Sequence, residues 1–210
     1  TGLNLTAGEH TLQGVEALQF LRIRHGIGDG SDLGRISNQQ QFMSSLVRKL
    51  QSGGVLGNPA TLLNLATMAV QQVNDNQLVL SKSLANPQRM VQIAMALRAV
   101  PYEDIAFVQY PTAYASDGSR VVPLEDAASV LFDALAANQP IQLTGSTSDG
   151  YGTAVVGEAD QAPTDPTATP NPTATDAVTP DAGATEAPVV LPPTITGQTA
   201  KQVTCTQAQR

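Results

Sequence analysis

The sequence is short of charge, cysteine and histidine, and it contains no long apolar run. Each shortage removes a class of function. Charged residues make up 14% of 210 positions, and acids outnumber bases 18 to 11. Nucleic-acid binding needs a broad basic face to neutralise phosphates, so that class is excluded. Two histidines, His10 and His25, with a single cysteine make no His/Cys metal cluster. Cys205 has no second thiol in the chain and cannot close a disulfide within it. No stretch of about 18 apolar residues occurs, so none of these 210 residues belongs to a membrane-spanning helix. A Ser/His/Asp pattern, a nucleotide-binding glycine motif and a paired-glutamate couple are also missing.

What is present is unevenly spread. Six prolines lie up to Thr144 and eight beyond it, and the net charge is −2 before that point and −5 after it. Residues Thr164 to Thr175 are Pro/Thr/Ala low complexity with scattered acids. Such a stretch buries too little apolar surface to offset its ordering entropy, and is expected to be an extended, solvated spacer. The expected organisation is a folded part over 1–144, an acidic Pro/Thr/Ala-rich linker over 145–194, and a short C-terminal segment over 195–210. That last segment carries Cys205, returns to mixed composition and is expected to dock onto another surface.

Within the folded part, Leu12, Val15, Leu18 and Leu21 recur at helical spacing and run into Arg22-Ile23-Arg24-His25. Gly26 to Ser31 has too much glycine and too few apolar anchors for regular structure. Helical periodicity resumes at Gly34 and stops at Gly53-Gly54. Asn58-Pro59 and Asn86-Pro87 each pair an N-cap residue with a proline at the first helical position, starting two further helices. Met43, Met68, Met90 and Met95 fall on apolar helix faces and are expected to fill the core. Ile105 to Val108 reads as a short buried strand, Tyr114 to Arg120 as a turn, Val121-Val122 as a second extended piece, and Leu124 to Ala137 as a closing helix. Strands separated by helices indicate an α/β layer arrangement, helix-rich in this stretch.

The densest chemistry lies between Arg22 and Gln41. Arg22, Arg24 and Arg35, a third of the basic residues up to Thr144, fall within 14 positions around the glycine loop. In an extended segment, Arg22 and Arg24 leave the same face. Arg35 shares a helix face with Gln39. Guanidinium forks beside a helix N-terminus describe an anion site suited to phosphate or pyrophosphate. Spacing alone leaves a second reading open, in which the arginines are solvated or pair with Asp29 and Asp32. Asp29 reads as a turn residue.

The pattern Leu12-x-Gly14-x-Glu16-Ala17-Leu18-x-Phe20-x-Arg22-x-Arg24-His25, then a Gly/Asp loop, then Asp32-Leu33-Gly34-Arg35-x-x-x-Gln39-Gln40 resembles the LytR-CpsA-Psr family. Tyr110-Pro111 through Arg120-Val121-Val122-Pro123 and the closing helix are similar to the family's C-terminal half. The tail, ending in Thr199-Ala200-x-x-x-Thr204-Cys205, is similar to tails of actinobacterial members. Asn38 stands where many members carry arginine, so one cationic contact is expected to be absent.

The resemblance implies the C-terminal part of an α/β/α sandwich. It implies an enzyme outside the cytoplasm, at the cell membrane and wall, that transfers a glycopolymer from a polyprenyl-pyrophosphate lipid onto peptidoglycan as a phosphodiester. Arg22, Arg24, Arg35 and Asp32 would form the catalytic set. The three arginines with Gln39 and Gln40 would hold the pyrophosphate, while Asp32 orients the arginines or a metal. Mg2+ or a similar divalent cation is the implied cofactor. Its ligands, like the membrane anchor, are expected upstream of Thr1, so this stretch alone is expected to be inactive. In that export setting, Cys205 is expected to pair with an upstream or partner cysteine. The alternative is a non-catalytic wall module that binds a polyanion or pyrophosphate lipid.

Overall fold

In the computed structural model, the described residues are 2–118, 120–148, 152–156 and 187–209. Helix α1 spans Gly14–Arg22 and α2 spans Asp32–Ser52, longer at its start than the periodicity from Gly34 indicated. The two extra residues come from Ser31, an N-cap whose hydroxyl accepts from Gly34 N. α3 (Pro59–Asn74) and α4 (Pro87–Arg98) start as expected. The Asn58 side chain accepts from the amides of Ala60 and Thr61, and the Asn86 side chain from those of Gln88 and Arg89. These two helices pack on each other. Leu62 and Ala66 are buried in α3.

A turn of 3-10 helix at Tyr102–Asp104 leads into β1 (Ala106–Val108). The hairpin of β2 (Thr112–Tyr114) and β3 (Val121–Pro123) precedes α5 (Glu125–Ala136), β4 (Ile141–Gln142) and β5 (Thr153–Val155). The expected turn from Tyr114 to Arg120 falls at the loop of this hairpin, except that Tyr114 itself is the last residue of β2 and pairs with Val121. Near the end of the chain come β6 (Val189–Val190), β7 (Gly197–Thr199) and β8 (Thr204–Thr206). Fold class is therefore mixed α/β and helix-rich, with strands joined in two-stranded ladders among the described residues.

Three of those ladders recruit the chain's end. β7 runs antiparallel to β1 with Phe107 opposite Gln198, β8 runs antiparallel to β5, and β6 runs parallel to β4. β5 and β6 both lie within 145–194, the stretch read from composition as linker. The low-complexity run Thr164 to Thr175 lies outside the described residues. The apolar core joins Ala127 and Leu131 of α5 to Leu191 and Ile195, with Val108, Leu124, Ile141 and Val189 against them. Ile195 is fully buried.

The face of α2 turned to β7 and β8 is polar. Gln41 Nε2 donates to Thr204 O at 2.9 Å, and the Thr206 hydroxyl lies 2.8 Å from both Asn38 Oδ1 and Gln41 Oε1. Arg48 Nη1 donates to the carbonyls of Ala200 (2.7 Å) and Gln202 (2.9 Å). Gly152, just before β5, meets the α2 backbone so closely that a Cβ there would sit 2.9 Å from Gly34 O. Only glycine fits at that crossing.

The methionines depart from expectation. Met43, Met68 and Met95 are 43%, 60% and 48% exposed, so they do not fill a core. α3 and α4 bury a narrow stripe against each other, which leaves the rest of their apolar surface, including Leu63 and Leu97, exposed. No described helix is long and apolar enough to cross a membrane.

Since Ile195 ties the returning segment to α5, Ile195→Ala should cost about 2–5 kcal/mol. A urea melt should show a lowered midpoint in a single transition; an unchanged midpoint would mean that the segment does not share the core.

Candidate functional site

The arginine-rich stretch is shaped by its turn residues. Asp29 Oδ1 accepts from Ser31 N at 2.9 Å, and Ser31 then caps α2 through Gly34 N. Gly26, Gly28 and Gly30 hold φ of 89°, 49° and 75°, a left-handed region that disfavours other residues. The second Asp29 oxygen accepts from Tyr114 Oη at 3.1 Å, which fastens the loop to β2. Asp29 is thus the turn residue that its neighbours suggested. A shallow depression open to solvent lies here, lined by Asp29, Gly30, Ser31, Tyr114 and Gly118.

Beside it, three charged side chains meet. Asp32 Oδ1 lies 3.1 Å from Arg35 Nη2 and 3.7 Å from Arg24 Nε, and Arg24 Nε also donates to Gly30 O at 3.3 Å. Asp32 occupies the first turn of α2, where the helix dipole favours a carboxylate. Pairing of Arg24 and Arg35 with Asp32 is what the second reading of the spacing described. It does not remove the first. The three side chains are 51%, 41% and 55% exposed for Arg24, Arg35 and Asp32, so solvent screens the pairs. Such pairs are worth about 0–1 kcal/mol each. An incoming polyanion can therefore replace Asp32 on either guanidinium at small cost.

Arg22 does not join them. The expected common face of Arg22 and Arg24 required an extended backbone, but α1 runs through Arg22. The chain becomes extended only at Ile23, with φ −66° and ψ 137°. The helical spacing of Leu12 to Leu21 carries one residue further, and Ile23 N bonds Phe20 O to close the helix. Arg22 is exposed and has no ion-pair partner among the described residues.

Gln39 serves the framework. Its Nε2 donates to Leu21 O at 3.2 Å, which satisfies a carbonyl at the C-terminal end of α1 and ties α1 to α2. Gln40 is buried on α2. Neither glutamine bonds Arg24, Arg35 or Asp32 among the described residues. His25 is exposed. Groups of three or more His, Cys, Asp or Glu side chains able to hold a metal are absent among the described residues.

Sequence reasoning passed over Ser31, Tyr114 and Arg48. Serine directly before an acidic first turn was a usable cap signal for Ser31. Nothing local marks Tyr114, which reaches the loop across 85 positions of chain.

Burial pushes the Tyr114 phenol above its usual pKa of 10, the Ser31 hydrogen bond opposes this, and the Asp29 carboxylate adds to the rise. A raised phenol favours the folded state fully below pH 10, and that contribution is lost as the pH climbs through the folded value. Tyr114→Phe should remove one late phenol from the ultraviolet titration and flatten the stability loss above pH 10. Loss instead of a phenol that titrates at the ordinary value of about 10 would show that Tyr114 is freely solvated.

The LytR_cpsA_psr family model matches residues 1–135, from before α1 almost to the end of α5. The cell wall biosynthesis protein LcpA of Corynebacterium glutamicum is 45% identical over 73 residues. That match covers 35% of this chain and 14% of LcpA, so the chain spans a small part of this curated relative. No solved structure matches. A family match over well more than half of its length, with the arginine loop and α2 inside it, shows that the chain belongs to the LytR-CpsA-Psr family.

Proposed function

We propose that Arg24 and Arg35 form part of a pyrophosphate-binding site in an enzyme of cell-wall assembly. It transfers a glycopolymer from a polyprenyl-pyrophosphate lipid carrier to peptidoglycan as a phosphodiester. The observation that carries this reading is the convergence of two guanidiniums on one exposed carboxylate oxygen at the start of α2. Two forked donors at one point, backed by a helix N-terminus, match the doubly charged edge of a pyrophosphate.

Phosphoryl transfer asks the protein chiefly to position groups and to spread negative charge. In this reading, the acceptor hydroxyl attacks the sugar-bearing phosphorus and gives up its proton, the P–O–P anhydride bond breaks, and polyprenyl phosphate leaves. Arg24 and Arg35 take the charge of the phosphate oxygens as their hold on Asp32 loosens. Asp32 keeps the two guanidiniums side by side beforehand and acts as a positioning residue. Arg22, exposed at the end of α1, adds long-range attraction. Gln39 and Gln40 contribute by fixing α2 against its neighbours.

A divalent cation enters from the family resemblance. The carboxylates at hand do not fit it, because Asp29 is held by Ser31 and Tyr114 and Asp32 by two guanidiniums. An extracytoplasmic location, and anchoring of the whole protein in the membrane, belong to the same proposal.

The engagement of both carboxylates also favours a second reading, a non-catalytic module that binds pyrophosphate lipid without turning it over. The two readings share a binding test and part on turnover. Calorimetric titration of this chain with inorganic pyrophosphate should show binding that weakens with salt. Arg35→Ala should lose at least about tenfold in affinity, equivalent to about 1.4 kcal/mol. Arg35→Lys should also lose affinity, since a point charge lacks the planar fork. Undiminished affinity in both variants would sink the site. Release of glycopolymer from the lipid by the membrane-bound protein would then decide for enzyme over module.

A further inference from the structure

The end of the chain returns to the arginine loop. Gly26 N donates to Gln209 Oε1 at 2.9 Å, and Gln209 N donates to Gly26 O at 3.1 Å. Gly28 N donates to Gln207 O at 2.9 Å. Between these bonds, Ile27 bridges antiparallel to Ala208 and is 4% exposed. Gln209 also reaches the other end of the loop. Its Nε2 lies 3.0 Å from where a Cβ on Gly30 would stand. The Gly30 carbonyl is the acceptor for Arg24 Nε. Contact thus runs from Gln209 through Gly30 to Arg24, and from Arg24 through Asp32 to Arg35.

This loop needs outside support. Three of its five residues from Gly26 to Gly30 are glycines at positive φ, each with wide freedom to lose. Ordering such residues costs about 1–2 kcal/mol apiece in backbone entropy. Inside the loop, Gly30 N bonds Ile27 O and Ser31 N bonds Asp29. The amides of Gly26 and Gly28 instead depend on Gln207 and Gln209, about 70 positions beyond the family match, which ends at 135.

We infer that Gln209, together with the Gln207 carbonyl, is a positioning element that clamps the Gly26–Gly30 loop and so places Arg24 for the anion. The inference rests on the arginine site proposed above. It assigns to the last residues of the chain a role in ligand binding that the family pattern does not contain. Gln209 is exposed, so its replacement should leave the core untouched.

The test compares the 210-residue chain with Gln209→Ala and Gln209→Glu. Amide exchange at Gly26 and Gly28 is followed by NMR, and inorganic pyrophosphate affinity by calorimetry. Gln209→Ala should speed Gly26 exchange at least tenfold and weaken pyrophosphate binding severalfold, with the urea midpoint unchanged. Gln209→Glu keeps an acceptor for Gly26 N but adds negative charge beside the anion. It should restore the protection of Gly26 without restoring affinity. Unchanged exchange in Gln209→Ala would overturn the clamp. So would faster exchange spread over the whole chain with a lowered midpoint, which would mark Gln209 as a general stability residue. Faster loop exchange with undiminished affinity would overturn the link to binding. If the unmutated chain binds no pyrophosphate while Gly26 still responds, the anion reading fails and the clamp stands.

Discussion

The architecture depends on one side chain reaching across 152 positions of sequence. Arg48, on the inner face of α2, donates to the carbonyls of Ala200 and Gln202 and to the hydroxyls of Ser44 and Ser45. A guanidinium has five donors and no acceptor, so a bend of chain that exposes several carbonyls suits it well. Burial lowers its pKa, and it faces no carboxylate among the described residues. Its charge is spread over backbone oxygens, which turns a returning tail into part of the fold. Gln41 and Asn38, about two and three turns earlier, make the neighbouring bonds to the same segment.

α2 therefore works in two directions. Its polar face holds β7 and β8, while Gln39 holds the end of α1. Its first turn carries Asp32 and Arg35 into the charged cluster. Any looseness between α2 and the returning segment passes directly to the glycine loop, because both ends of that loop are attached to one or the other. The exposed cluster itself contributes little to stability, which under the proposed function suits it to binding. A pair worth a fraction of a kcal/mol is easily exchanged for a ligand.

Local chemistry was legible in the sequence wherever it acts over a few residues. Asn58-Pro59 and Asn86-Pro87 announced α3 and α4 because cap and proline geometry operate within one turn. The glycine content of 26–31 marked the loop, and Asp29 as its turn residue, for the same reason. The pairing of β1 with β7 and of β4 with β6 was not legible, since strands of two or three residues carry too little pattern to set a partner or register. Exposure of Met68 and Met95 was not legible either, because periodicity reports which face is apolar and not whether anything covers it.

The candidate site divides in the same way. Arg24, Arg35 and Asp32 were found from residue type and spacing, and the fold brings them together. Arg22 was misplaced because a helix end is uncertain by a residue or two, which is enough to rotate a side chain to another face. Tyr114 and Gln209 reach the loop only through tertiary contact, so no local signal announces them.

Under the proposed function, Arg24 and Arg35 exchange Asp32 for a pyrophosphate while Arg48 stays committed to the fold. Arginine Nε–Hε signals of the chain, followed by NMR during addition of inorganic pyrophosphate, test it most directly. Saturable shifts at Arg24 and Arg35 with a stationary Arg48 are the expected result. Stationary signals at Arg24 and Arg35, or shifts of equal size at every arginine, would contradict it.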